Sequence, residues 1–102
     1  MKYRGLLALL LSSAIPVLAV SAENLTGRTI GSACFGCHGA AGANETSIPP
    51  VIVGVPAQFI AKSLQEFRDG TRSSTIMGRI ARGYTDEEID AVASYVASLA
   101  RN

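Results

Sequence analysis

The stretch Cys34-Phe35-Gly36-Cys37-His38 holds both cysteines of the chain and its one histidine. Two thiols three positions apart, followed at once by an imidazole, form the pattern to which a c-type haem is attached. Each thiol can bond one vinyl group of a porphyrin, and the next side chain is placed to put a ring nitrogen on the iron. Other chemistries use a Cys-x-x-Cys pair, and each lacks something here. A zinc site normally needs four ligands, and there is no second cysteine pair or second histidine. A thioredoxin-like dithiol is expected near a βαβ pattern, and no strand-like alternation occurs in the chain. A disulfide closing so short a loop would stabilise little and would leave His38 without a role. Covalent haem is therefore the favoured reading, with electron transfer as the leading function.

The N-terminus speaks to compartment. Lys2 and Arg4 begin the chain, an apolar run follows from Gly5 to Val20, and Val20-Ser21-Ala22 supplies small residues where a signal peptidase reads. A membrane anchor is the competing reading. The run falls short of the roughly 20 residues that cross a bilayer, and Pro16 breaks it. The expectation is a cleaved secretory signal over residues 1–22, a periplasmic location, no stable membrane insertion, and one small domain over residues 23–102. A domain of that size buries little surface and profits from a staple or cofactor. Loss of Lys2 and Arg4 with the signal leaves the acidic side chains slightly ahead of the basic ones. That balance gives no support to nucleic-acid binding.

The rest of the chain reads as helices. Ile30 and Cys34 lie four apart, which predicts a short first helix over Leu25–Cys34 capped by Asn24 or Thr26. Gly27 and Gly31 would let another helix cross it closely. From Gly39 to Pro56 glycine and proline recur without a helical period, which predicts an extended loop. Ile60, Leu64 and Phe67 mark a second helix over Ala57–Arg68 between Pro56 and Gly70. Asp69–Thr85 reads as a further loop. Thr85 and Glu88 form a capping box for a last helix, whose apolar stripe is Ile89, Val92, Val96 and Leu99, with Tyr95 beside it. The fold class is all-α: three to four helices around one covalently bound haem.

An electron-transfer haem needs a ligand on the far side of the iron. Past the signal, Met77 is the single methionine, and its loop can deliver a thioether opposite His38. The alternatives are that Met77 fills a core gap, that Lys62 is the ligand, or that the site stays open. An open site would indicate ligand binding instead of electron transfer. His38 also needs an acceptor for its second ring nitrogen, and a carbonyl at Pro49 or Pro50 is suitably placed. Arg68, Arg72, Arg79 and Arg82 surround Met77 in sequence, and acidic residues Asp86, Glu87, Glu88 and Asp90 follow. The arginines suit a docking partner, the haem propionates or plain solvent, and the acids suit the helix start they occupy.

On these residues the chain resembles the class I monohaem cytochromes c. The motif with Gly39, the loop Pro50-Val51-Ile52-Val53-Gly54 and Met77 before the last helix carry the likeness. Ile52 stands where that family usually has leucine. The resemblance implies Cys34 and Cys37 as thioether anchors, His38 and Met77 as axial ligands, and a Pro50 carbonyl bonded to His38. It also implies that the first and last helices cross at Gly27 or Gly31 against Tyr95.

The loop Ser74–Tyr84, with Phe67–Arg72 before it, is similar to that of the cytochrome subunit of flavocytochrome c sulfide dehydrogenase. That likeness implies a separate flavoprotein partner carrying FAD, with sulfide oxidised there and not on this chain. Electrons would then pass to an external acceptor such as another cytochrome. Arg79 is the residue of this loop marked for propionate pairing or docking. A free periplasmic carrier, an open-site ligand binder and a haem-free thiol or zinc module are the other readings.

Overall fold

The computed structural model describes residues 14–16, 21–39 and 48–99. The expected signal segment falls mostly outside the described residues, as does the 40–47 part of the expected loop. Four helices and no strand occur among the described residues: α1 Ala22–His38, α2 Ala57–Asp69, α3 Met77–Ala81 and α4 Asp86–Ser98. The all-α expectation holds.

α1 is longer than its apolar period suggests. Ser21, not Asn24 or Thr26, caps it, its Oγ accepting the Asn24 N–H at 3.3 Å, with Glu23 in the first turn. At the other end the helix runs through the whole motif. Gly39 stops it with φ 72° while donating its N–H to Phe35 O at 3.1 Å. Cys34, Cys37 and His38 thus stand on the last turns of one rigid element.

α1 crosses α4 closely, and the two buried glycines are the reason. A Cβ on Gly27 would strike the Ala91 carbonyl, and one on Gly31 would strike the Tyr95 ring. The expected Gly–Tyr95 contact is present at both positions. α4 keeps its capping box: Thr85 Oγ1 accepts from Glu88 N–H at 3.2 Å, and Glu88 Oε1 accepts from Thr85 N–H at 3.1 Å.

α2 packs against α4 and α3, and α1 packs against α4. The shared core is Ile60, Leu64, Ala81, Ile89, Val92, Ala93 and Val96. α2 ends one residue later than expected, at Asp69, and Gly70 caps it with a left-handed φ of 80° that turns the chain. The expected Asp69–Thr85 loop is corrected in one respect: it contains α3, a single five-residue turn anchored by the fully buried Ala81. α1 and α3 do not pack on each other.

Candidate functional site

Cys34 and Cys37 lie three apart on α1 and so share a face of the helix. Both are free thiols. Cys34 is half-buried against the core, its Sγ–H donating to Ile30 O at 3.5 Å, while Cys37 is exposed. Burial pushes the Cys34 thiol above its ordinary pKa, partly offset by a backbone hydrogen bond. A nucleophilic or redox dithiol needs the opposite shift. Among the described residues, no three of His, Cys, Asp and Glu gather as a metal-ion site, so the thiol and zinc readings find no support.

His38 sits at the end of α1 with Nδ1 2.7 Å from Pro50 O. A carbonyl can only accept, so Nδ1 carries the proton, and Nε2 is the ring nitrogen left to face a metal. Such a bond fixes the ring and raises the basicity of the other nitrogen, as iron-ligating imidazoles require. Pro50 is itself held by the loop that follows it. Val53 is 1 % exposed, and Gly54, at φ 73°, donates its N–H to Val96 O at 3.2 Å, tying this loop to α4.

Met77 is the first residue of α3 and packs half-buried against the core. Its neighbour Gly78 donates its N–H to Ser74 Oγ at 2.8 Å, which fixes the turn into the helix. Exposed apolar side chains border both halves of the site. Ile48 precedes the Pro49-Pro50 pair at 97 % exposure, and Ile76 and Ile80 flank Met77 at 58 % and 38 %. Unpaired thiols, an imidazole with a free Nε2, a thioether and uncovered apolar surface form a donor set that fits a porphyrin iron.

The four arginines divide. Arg68 bonds Asp86 at 2.6 Å and donates to Tyr84 O at 3.3 Å, bridging the end of α2 to the start of α4. The Asp86 carboxylate raises its pKa. Arg72 is engaged with Glu66 and Ser63 of α2. These two are engaged within the fold by their own partners, one at the start of α4 and one along α2. Arg79 and Arg82 are exposed on and after α3 and make no ion pair with a described residue. Lys62 points to Glu66 at 3.8 Å from an exposed turn of α2.

Two features escape sequence reading. Tyr84 lies close enough to feel Cys34, and burial above all, with the Cys34 and Glu88 charges behind it, lifts its phenol above the ordinary value. A groove lined by Glu23, Thr26, Glu87, Glu88 and Asp90 opens where α1 and α4 begin. It lies at the opposite end of α1 from the motif and takes no part in the site.

Residues 25–100 match the family model described as cytochrome c. The cytochrome subunit of sulfide dehydrogenase from Chlorobaculum tepidum is 43% identical over 75 residues, covering 74% of this chain and 67% of that protein. The thiosulfate dehydrogenase electron acceptor of Stutzerimonas stutzeri is 39% identical over 69 residues, 65% of this chain and 32% of that protein. Cytochrome c4 of Azotobacter vinelandii is 38% identical over 72 residues, 66% of this chain and 34% of that protein. The chain thus spans about two thirds of the first of these relatives and about one third of the other two.

Proposed function

The chain belongs to the cytochrome c family, and on that premise we propose that it is the electron-transfer subunit of a sulfide-oxidising flavoprotein complex. Family membership brings one covalent haem c and an electron-carrier role. The finer reading rests on one observation: the 43% identity with a sulfide dehydrogenase cytochrome subunit. The partner is then an FAD-bearing flavoprotein subunit, and electrons leave this chain for an external acceptor. We place the mature protein, residues 23–102, in the periplasm. Among the described residues no helix is long and apolar enough to cross a membrane.

The bound haem supplies one-electron chemistry at iron, and the chain's residues prepare the place for it. Cys34 and Cys37, on one face of α1, would hold the porphyrin by two thioethers. His38 offers Nε2 to the iron because Nδ1–H is donated to Pro50 O. Met77, carried on a separate helix, offers a thioether as second ligand, and that pairing raises the potential above that of paired histidines. Arg79 is left to meet a propionate or a partner surface.

Isolation from the native source under mild conditions tests the partner. The haem chain is expected to copurify with a flavin-containing protein, and sulfide is expected to reduce the haem only when that protein is present. Purification always alone, with rapid reduction by many unrelated donors, supports the second reading of a free carrier. The similarity to a thiosulfate dehydrogenase electron acceptor is the observation that favours it.

A further inference from the structure

Phe59, Ser63, Glu66 and Phe67 fall at spacings of 0, 4, 7 and 8 along α2 and therefore form one stripe on its surface. The side chain of Arg72 lies along that stripe. Its guanidinium sits 5.6 Å from the Phe59 ring centre and 5.5 Å from that of Phe67. Nη1 donates to Ser63 Oγ at 3.0 Å, and Nε faces Glu66 Oε2 at 3.3 Å. The Arg72 backbone N–H donates to Glu66 O at 3.2 Å, and Thr71 Oγ1 donates to the same carbonyl at 3.3 Å. An isolated surface ion pair is worth little, but one planar cation meeting two rings, a hydroxyl and a carboxylate together is a fixed joint.

The joint has a particular place. Residues 71–76 are all exposed, and they lead straight into Met77. The far end of α3 is anchored by buried Ala81, whereas the Ser74–Gly78 bond at its near end is local to the segment. Among the described residues, Arg72, with Thr71 beside it, ties the approach to Met77 to the surface of α2, ahead of the packing of α3 on the same helix. We propose that Arg72 is a positioning residue for Met77, clasping the incoming segment so that the thioether resists detachment from iron. The proposal rests on Met77 being the second axial ligand. Loss of the clasp favours the detached state, and an added ligand that competes with the thioether then binds more tightly.

The test uses ferric, haem-loaded protein, titrated with imidazole and followed by the near-infrared band of a methionine–iron bond. Arg72→Ala is expected to retain the band without imidazole. It should bind imidazole about tenfold more tightly, the scale of losing cation–π, ion-pair and hydrogen-bond contacts at one half-exposed group. Arg72→Lys, which keeps the cation and loses the fork, should fall between wild type and alanine. Should the alanine variant fail to load haem, the lysine variant decides alone by the same direction. Thr85→Ala weakens the fold through the α4 cap and should bind imidazole as wild type does. Unchanged imidazole affinity in both Arg72 variants overturns the proposal, as does an equal rise in Thr85→Ala, which would reduce the effect to global stability. A wild-type protein lacking the band overturns the ligand reading itself. A wild-type band that Met77→Ala abolishes, beside Arg72 variants that bind imidazole normally, sinks this inference alone.

Discussion

The proton on His38 Nδ1 is spoken for by Pro50 O, so one 2.7 Å contact orients the ring and chooses its tautomer. The spacing of His38 and the proline pair pointed to a proline carbonyl without choosing between Pro49 and Pro50, and the likeness to the class I cytochromes c singled out Pro50. Tyr84 was not legible, since nothing local marks it as a neighbour of Cys34. Its phenol is raised above its ordinary value of about 10, chiefly by burial. A raised folded pKa gives stability that is present below the unfolded value and lost as pH rises through the folded one. In the haem-bearing protein a thioether at Cys34 has no charge, and burial remains the principal cause. Denaturant midpoints of the haem-loaded protein are therefore expected to fall above about pH 10, and Tyr84→Phe should flatten that fall. An identical alkaline profile in the variant would show that another group is responsible.

Among the elements, the α1–α4 crossing carries the motif. Gly27 faces the backbone carbonyl of Ala91, which cannot yield without moving α4, whereas Gly31 faces the side chain of Tyr95. Gly27→Ala is expected to cost about 1–3 kcal/mol, overpacking outweighing the helix-propensity gain of roughly 1 kcal/mol. Gly31→Ala should cost less. Denaturant titration of the two haem-loaded variants reads this directly, and the reverse order would contradict the crossing described. The glycines and the capping box were readable because close approach and helix starts leave residue-type signatures. The full length of α1 was not, because Gly36 and Cys37 are exposed and continue the helix without an apolar period. α3 was missed for a related reason: five residues give no period at all, and buried Ala81 looks like any alanine.

At the scale of the molecule, the described core is thin. Its buried members are nine aliphatic residues, with Ile89, Val53 and Val96 the largest fully enclosed side chains. A domain of this size with so small a core, and with Ile48, Ile76 and Ile80 exposed, leans on its prosthetic group. Preventing attachment with the double variant Cys34→Ala/Cys37→Ala should leave a chain without a cooperative thermal transition by circular dichroism. A sharp transition retained in that haem-free chain would show that the helices stand alone. The class of the fold could be read from the motif together with its helical patterning. Arg72, by contrast, needed the structure, because a stripe of Phe59, Ser63, Glu66 and Phe67 reads in sequence as a helix face without naming what covers it. In the reading proposed above, His38 and Met77 together make this haem an electron carrier. The near-infrared spectrum of the ferric protein, measured on wild type and Met77→Ala, decides this. A methionine–iron charge-transfer band in wild type that disappears in the variant is expected; a wild type without the band, or a variant that keeps it, contradicts the claim.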